Sequence, residues 1–323
     1  MLKAHSAIVA AMALATMLAG CLEVKQDYTL NPDCSGKVIV DLLAQEMPIN
    51  VGQADAPDPE VLAKQTVRRM LDGADGVDAW ADVAYNRTDD GRTHFKGTAY
   101  FKDLSKLKLS IAGLIGTTLS KDDKGGLTLL IGGSPEAAKS PPPPAPPKLT
   151  QEETDQRIKA QRERFKQMRP MMEMFFAKAR VEMSFRLPAA PADVSNLRKD
   201  PDGTLRFVLD GGKALQAIDQ LMADDEYVRE RAAAGPEVGK NTAWLNDALN
   251  EKLFGSRAPV RARASGDLKP LFDYAAEVKA AKDAYPKMME RLGLPSAPAA
   301  PPAAESGGKE PPPPPAAARD PAK

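Results

Sequence analysis

The sequence is poor in the side chains that most often carry chemistry. Its 323 residues include two cysteines and two histidines, and aromatic residues make up 5% of the chain. Disulfide-dense scaffolds need several cysteines, and transition-metal sites rely mainly on histidine and cysteine ligands. We therefore expect no disulfide framework, no metal and no cofactor.

An excess of charge of one sign is also missing. Lys and Arg total 44, Asp and Glu total 44, and the formal net charge is +0. Nucleic-acid-binding domains are usually basic, and anionic membranes attract clusters of basic residues. The balance therefore predicts no nucleic-acid partner, and it requires that any membrane attachment come from lipid.

Long hydrophobic runs are lacking except near the N-terminus. Lys3 is followed by an apolar stretch from Ala7 to Leu18, which is too short to span a bilayer stably. A basic residue, a short apolar stretch and small residues before a cleavage point are typical of an export signal. Residues 1–20 are therefore predicted to be a cleavable signal peptide.

The end of this signal, Leu18-Ala19-Gly20-Cys21, resembles the lipobox of bacterial lipoproteins. The resemblance implies that signal peptidase II cleaves between Gly20 and Cys21 and that the Cys21 thiol carries a diacylglyceryl group. A fatty-acyl chain such as palmitate on the new amino group would make the attachment essentially permanent, because stable anchoring takes more than one lipid chain. The alternative is an ordinary secretory signal with an incidental cysteine.

Leu22 follows the cysteine. In the Gram-negative sorting rule an Asp at this position retains lipoproteins at the inner membrane, so Leu22 implies the outer membrane. We therefore expect a lipid-anchored protein of the cell envelope that faces the periplasm. Besides the membrane, its expected partner is an unknown envelope protein or a hydrophobic ligand.

A second resemblance lies in the segment Asn31-Pro32-Asp33-Cys34-Ser35-Gly36-Lys37. It is similar to Asp-Gly-Ser-Gly hairpins near the start of some uncharacterised bacterial envelope lipoproteins, in which the position of Cys34 is commonly Gly. Because lipidation of Cys21 would remove the only other thiol, we expect no internal disulfide. Cys34 is then either a tolerated turn residue or a thiol for an intermolecular bridge.

The apolar pattern predicts an α+β fold in which antiparallel hairpins are interleaved with helices. Alternating apolar residues and turn signals predict strands at residues 22–30, 37–43, 77–85, 93–101, 114–119, 127–131, 181–187 and 205–209, with an edge strand at 260–264. Caps followed by apolar residues at helical spacing predict helices at residues 58–71, 150–170, 214–231, 241–253 and 270–291. Pro170 and Pro286 are expected to kink or interrupt two of these helices.

Composition divides the mature chain into four segments. Residues 21–134 are an α+β region with hairpins, and residues 150–294 are a helix-rich α+β region that folds separately or shares one sheet with the first. Between them, residues 135–149 include the proline run at 141–147 and are expected to form an extended spacer. Residues 295–323 are rich in Pro and Ala and are expected to form a disordered tail.

The helix after residue 150 carries the main candidate binding site. Phe165, Met168, Met172 and Phe175 lie along it at near-helical spacing. One hypothesis is that these side chains face a lipid or a hydrophobic peptide, because thioether side chains adapt to varied partners. The alternative is that they form the core stripe that a helix of this length needs anyway.

Two candidate catalytic groups lie close together in the chain. His94 shares its expected strand face with polar residues, which favours a solvent-exposed histidine over a base or a metal ligand. Ser105 and Lys108 form the Ser-x-x-Lys spacing of penicillin-binding enzymes, but the other motifs of those enzymes are missing. Neither group therefore indicates an active site.

Two acidic groups are also candidates. Asp72, Asp75 and Asp78 surround two glycines, as in a calcium-binding loop, but they lack the full EF-hand order. The run 224–226 is acidic and is expected to lie on a helix surface. We therefore expect a protein without catalytic residues.

The sequence thus predicts a lipid-anchored bacterial envelope protein with a non-catalytic binding or structural role. One alternative is a protein that binds a lipid or a hydrophobic peptide through the Met- and Phe-rich helix. Another alternative is a serine hydrolase that uses Ser105.

Overall fold

The computed structural model describes residues 22–45, 58–109, 115–132, 150–234 and 246–295. The strands in these ranges are β1 (Glu23–Leu30), β2 (Gly36–Gln45), β3 (Ala79–Arg87), β4 (Arg92–Phe101), β5 (Thr117–Lys121), β6 (Leu127–Ile131), β7 (Arg180–Arg186), β8 (Pro191–Ser195), β9 (Arg198–Lys199), β10 (Leu205–Asp210) and β11 (Val260–Ala264). The helices are α1 (Pro59–Asp72), α2 (Gln151–Phe176), α3 (Gly211–Ala223), α4 (Asp225–Ala234), α5 (Asp247–Phe254) and α6 (Tyr274–Arg291). The expected signal peptide, the spacer at 135–149 and residues 296–323 of the expected tail lie outside the described residues.

Two sheets organise the fold. The larger has seven strands in the order β3-β4-β2-β1-β7-β10-β9, and the smaller has four in the order β5-β6-β11-β8. β1 pairs in parallel with β7, whereas the other paired strands are antiparallel. The structure therefore confirms the α+β class with mostly antiparallel strands.

Strands from both halves of the chain meet in each sheet. β1 pairs with β7 over the register from Glu23↔Arg180 to Thr29↔Arg186, and β6 pairs with β11 from Leu127↔Ala264 to Ile131↔Val260. Buried apolar residues of both sheets belong to one hydrophobic cluster. The segments before and after the proline run are thus joined by backbone hydrogen bonds and by a common core.

One face of the seven-stranded sheet is buried in this core. The alternation predicted for β1 is present, with the buried side chains Val24, Gln26, Tyr28 and Leu30. The Tyr28 ring stacks on Phe185 with centroids 4.8 Å apart, and the Tyr28 hydroxyl donates to Gln26 Oε1 at 2.9 Å. Gln26 and Tyr28 are thus a hydrogen-bonded polar pair within this core.

The predicted helix starts at 58 and 150 are confirmed by their caps. The Asp58 carboxylate accepts from the Glu60 amide, and Thr150 and Glu153 form a reciprocal capping box. Helices α2 and α6 run on through Pro170 and Pro286, so the predicted ends or interruptions at these prolines are wrong. Both prolines are exposed, where water can reach the carbonyl four residues earlier.

The helix predicted at 214–231 is two helices. Asp224 is extended, and its carboxylate accepts from the amides of Glu226 and Tyr227 at 2.9 and 3.1 Å, which begins α4. The helix predicted from 241 starts instead at Asp247, where Asn246 is the N-cap, and residues 241–245 lie outside the described residues. Capping side chains thus decide both boundaries.

Two strand predictions also differ from the structure. β11 is internal, between β6 and β8, because the short β8 that covers its outer edge was not recognised in the sequence. The alternation expected at 77–85 is broken by a register shift between Ala81 and Ala84, where Asp82 has a φ of 52°. A bulge of this kind moves the following side chains to a different face.

Within the ranges given above, no helix is both apolar enough and long enough to cross a bilayer.

Candidate functional site

The lipobox residues Leu18–Cys21 lie outside the described part of the chain, so the site begins at Leu22. The carbonyl of Leu22 accepts a hydrogen bond of 2.8 Å from the amide of Arg180, the first residue of β7. Cys21 is the neighbour of Leu22 in the chain, and consecutive Cα atoms lie about 3.8 Å apart. The predicted attachment point is therefore next to this end of the seven-stranded sheet, which we call the anchor end.

Helix α2 reaches the same end of the sheet. Its inner face is fixed to α3 and α4 by arginines: Arg169 binds Asp219 through two contacts of 2.7 and 2.9 Å, and Arg162 contacts Asp225 at 2.6 Å. The carbonyl of Phe176, the last residue of α2, accepts from the amide of Ala179 at 2.9 Å. This hydrogen bond places the end of α2 close to Arg180 at the start of β7.

The predicted ligand-facing residues lie along the inner side of α2. Phe165, Met168 and Met172 are half-buried. Their spacing puts them on the side of α2 that carries Arg162 and Arg169. The side chain of Phe175 is not among the described ones. None of the described apolar side chains of α2 is fully buried, so the stripe is not part of the main core.

The exposed apolar residues of α2 lie elsewhere, in its last two turns. Met174 is 67% exposed, Phe176 41% and Met171 36%. They are three of the six large apolar side chains that are exposed in the described ranges. Met171 and Met174 lie on the other side of α2 from the predicted stripe, whereas Phe176, seven residues after Arg169, lies on the inner side at the end of the helix. We call these three residues the α2 patch.

A groove lies at the other end of β1, between the β1–β2 turn and the segment before α6. It has a volume of about 700 Å³ and is lined by residues 31–33 and 270–275. Asn31 fixes the segment, since its Oδ1 accepts from the Leu271 amide at 2.9 Å and its Nδ2 donates to the Phe272 carbonyl at 3.3 Å. Leu271 is 40% exposed. We call this feature the distal groove.

A charged side chain covers one wall of the distal groove. Lys37 Nζ lies 4.5 Å from the centroid of the Phe272 ring and binds Glu277 at 2.8 Å. A smaller depression of about 440 Å³ adjoins the groove beside Tyr274. The Tyr274 hydroxyl donates to Asp78 Oδ2 at 2.5 Å, and burial, with this carboxylate as a second cause, raises the pKa of Tyr274 well above its usual range.

His94 and Ser105 both have structural partners. His94 Nε2 lies 2.9 Å from Asp41 Oδ1 on the neighbouring strand. The face of β4 that carries His94 was expected to be exposed, but Tyr100 on the same face is buried under α6 and donates to Glu277 at 3.0 Å. The Ser105 hydroxyl donates to Asp103 Oδ1 at 2.6 Å, and the same carboxylate accepts from the Ser105 amide at 2.9 Å as the N-cap of a short 3-10 turn.

The acidic candidates are likewise engaged in local structure. Asp72 pairs with Arg68 at 3.0 Å, and the backbone of Asp75 pairs with Lys108. Asp78 accepts from Tyr274. Within the described residues, no group of three or more His, Cys, Asp or Glu side chains could hold a metal ion.

Cys34 lies in the β1–β2 turn, as the spacing predicts. Its φ is 71°, in the left-handed region that favours glycine, and the thiol is half-buried and free. Burial raises the pKa of Cys34, while nearby Lys121 opposes the shift. A raised pKa lowers the thiolate fraction at neutral pH, so the thiol is a weak nucleophile.

No protein-family model and no curated protein matches this sequence. Among solved structures, the chain is similar to the NMR structure of the folded domain of the LppM protein of Mycobacterium tuberculosis, with 16% identity and a TM-score of 0.28. The match covers 60% of this chain and 85% of that domain. A TM-score this low does not establish a shared fold, so only the residues of this chain support a proposal of function.

Proposed function

We propose that the chain is a lipid-anchored protein of the bacterial cell envelope with a non-catalytic binding or structural role. The observation that carries the proposal is the course of β1. This strand starts two residues after Cys21 and ends at Leu30, directly before the residues that line the distal groove. Eight extended residues span about 25 Å, so the anchor end and the groove are separated by the length of the sheet.

This arrangement suits a tethered binding protein. Lipid on Cys21 would confine the domain to a membrane surface and raise its effective concentration toward partners in the same envelope. The distal groove would then be turned away from that surface. Leu22 after the lipidated cysteine favours the outer membrane, with the domain in the periplasm.

The non-catalytic role is supported by the environment of the two best catalytic candidates. His94 contacts Asp41, and Ser105 donates its hydroxyl to the Asp103 that caps the same turn. A nucleophilic serine needs a base that accepts its proton in the reaction, and Asp103 belongs to a local cap instead. The pairing therefore favours a structural role for Ser105.

Metabolic labelling with a clickable fatty acid in a Gram-negative host tests the anchor. The chain offers its own matched control, because Cys34 is the other cysteine. We expect that the natural chain and Cys34→Ser take up the label and sediment with outer membranes, whereas Cys21→Ser is unlabelled and is not anchored. Equal labelling of Cys21→Ser and the natural chain would refute the proposal.

An acylating active-site probe tests the absence of serine chemistry. We expect the same low labelling for the natural chain, Ser105→Ala and the surface control Ser195→Ala, which loses a hydroxyl on β8. Labelling that disappears only in Ser105→Ala would show a reactive serine and would favour a hydrolase.

A second candidate function is the binding of a lipid or a hydrophobic peptide along the inner side of α2. It is favoured by the incomplete burial of Phe165, Met168 and Met172. A fluorescent fatty acid tests this candidate by saturation and displacement. We expect weaker binding in Phe165→Ser than in Leu271→Ser, which changes the distal groove, whereas equal or unsaturable binding would exclude this site.

A further inference from the structure

We infer that the α2 patch rests on the bilayer that holds the anchor, with Met171, Met174 and Phe176 placed among the lipids. The inference rests on the proposed lipidation of Cys21. It adds a membrane contact that the folded domain makes itself, so that the lipid fixes the domain to the membrane and the patch orients it.

Backbone hydrogen bonds hold the α2 patch beside the anchor. The Leu22 carbonyl accepts from Arg180 at 2.8 Å, and the Phe176 carbonyl accepts from Ala179 at 2.9 Å. The Gly211 amide in turn donates to the Ala179 carbonyl at 2.8 Å. The end of α2, the start of β1 and the start of α3 are therefore joined at one end of the molecule.

The side chains of the α2 patch suit a membrane surface. Exposed apolar clusters on otherwise polar proteins mark contact sites, and aromatic and long apolar side chains favour the interface between headgroups and acyl chains. Met174, with two thirds of its surface exposed, is the most exposed large apolar side chain in the described ranges. Met171 lies one turn before it on the same side of α2.

Met171 and Met174 cannot easily turn inward. The two contacts between Arg169 and Asp219 hold the opposite side of α2 against α3. At the helix end, Gly211 lies so close to the Phe176 carbonyl that it leaves no room for the helix to move toward α3. Met171 and Met174 therefore remain directed away from the α3–α4 layer, and Phe176 lies at the end of the helix, 41% exposed.

Basic residues border the α2 patch. Lys178 follows it in the chain, and Lys166 lies two turns before Met174; both are exposed. Arg180 also follows and is exposed, although it pairs with Glu182 at 3.6 Å. Envelope lipids include anionic phosphatidylglycerol-type headgroups, which attract lysine and arginine over about one Debye length. Apolar residues flanked by basic ones match a bilayer better than the apolar surface of another protein.

A bilayer is favoured as the occupant because of where the chain leaves the domain. Cys21 directly precedes Leu22, the first described residue. A lipid on Cys21 would therefore have almost no linker between the bilayer and the folded domain. A bilayer that holds Cys21 must therefore lie within a few ångströms of the anchor end, where the patch is exposed. A second copy of the chain or a soluble peptide would have to compete with the membrane surface that already lies beside the α2 patch.

Site-specific fluorescence quenching tests the inference. The lipidated chain, in a Cys34→Ser background, is purified from membranes and reconstituted into vesicles of phosphatidylethanolamine and phosphatidylglycerol. The fluorophore NBD is attached to Met174→Cys, or to Leu271→Cys as the matched control. The control residue is 40% exposed and lies at the distal groove, at the far end of β1. Phospholipids with a nitroxide on the upper acyl chain serve as the quencher.

We expect the label at residue 174 to lose most of its fluorescence with nitroxide lipid, and the label at residue 271 to keep it. Equal quenching at both positions, or none at residue 174, would overturn the inference. A signal at residue 174 that changes with protein concentration but not with nitroxide lipid would indicate a second copy and would also overturn it.

The mass of the N-terminal peptide, measured on each sample, separates this outcome from failure of the proposed function. A lipidated Cys21 without quenching at residue 174 contradicts the inference alone. An unlipidated Cys21 contradicts the proposed anchor, and the inference falls with it.

Discussion

Gly211 lies so close to the backbone of Phe176 that a Cβ at residue 211 would stand 1.8 Å from the Phe176 carbonyl oxygen. No side chain fits at such a distance. The end of α2 can therefore approach α3 this closely only because residue 211 is a glycine. The neighbouring Gly212 is less crowded, since a Cβ there would stand 3.1 Å from the Ala177 carbonyl. The two glycines therefore form a matched pair.

We expect Gly211→Ala to lower the free energy of unfolding by about 1–3 kcal/mol, because the end of α2 must shift to admit the new methyl group. Gly212→Ala should change it by less than about 1 kcal/mol, since a better helix propensity offsets a mild contact. Urea unfolding followed by circular dichroism measures both. Equal losses in the two variants would show that the close approach does not constrain α2.

The pairing of β1 with β7 and of β6 with β11 crosses the proline run at residues 141–147. A chain that carries an inserted protease site in this run should therefore stay in one piece after cleavage, held by two strand interfaces and a common core. Size-exclusion chromatography of the cleaved protein under native conditions is the measurement. Two separately eluting fragments would mean that the halves fold as independent domains.

The sequence predicts the hairpins and most helices because their signals are local. The capping box at Thr150 and Glu153, the Asp58 cap and the alternation along β1 each involve residues a few positions apart. The edge position expected for β11 is wrong because strand order depends on pairing between distant segments. The short β8 that covers β11 carries little signal of its own.

The candidate site was harder to predict than the fold. The apolar residues of α2 are visible in the sequence, but helical spacing alone does not say which side faces α3. That choice is made by the pairs of Arg162 and Arg169 with acidic residues fifty or more positions away. The distal groove depends on Asn31 binding the backbone of residues 271 and 272, a contact that no local pattern reveals.

Tyr28 and Gln26 are a polar pair inside the core. Tyr28 donates to Gln26 Oε1, and Gln26 Nε2 has no hydrogen-bond partner within the described residues. Tyr28→Phe removes the donor and should cost about 1–3 kcal/mol, because it leaves the buried amide with neither group paired. The double variant Gln26→Leu, Tyr28→Phe should recover most of this loss, since both polar partners are then replaced.

Urea unfolding of the two single variants and the double variant gives the coupling free energy of the pair. Ser195→Ala is the control variant, because it removes an exposed hydrogen bond to the Pro259 carbonyl. A double variant that is as unstable as the sum of the single variants would show that the two side chains do not act as a unit.

Arg206 binds two carboxylates on the outer side of the sheet. It contacts Glu182 at 2.6 Å and Asp200 at 2.7 Å, and these hydrogen bonds hold the pKa of both carboxyls below their usual ranges. Carboxyls with a lowered pKa in the folded state stabilise the protein above the unfolded-state value of about 4. This contribution is lost as the pH falls through the lower, folded-state pKa.

Arg206→Met should therefore be less stable than the natural chain at neutral pH, and the difference should shrink as the pH falls below about 4. Urea unfolding at a series of pH values measures this change. Arg257→Met, which breaks an exposed pair with Glu251, is the control and should show a much smaller effect. A difference between Arg206→Met and the natural chain that does not vary with pH would contradict the assigned role of the two carboxylates.

The central claim is that lipid on Cys21 fixes this domain to a membrane, and mass spectrometry of the N-terminal peptide tests it most directly. After tryptic digestion of the protein purified from membranes, we predict a peptide that begins at Cys21, ends at Lys25 and carries diacylglyceryl and fatty-acyl groups. The peptide with Cys34 should carry no lipid. A mature protein that keeps residues before Cys21, or that has a free thiol at Cys21, would contradict the account.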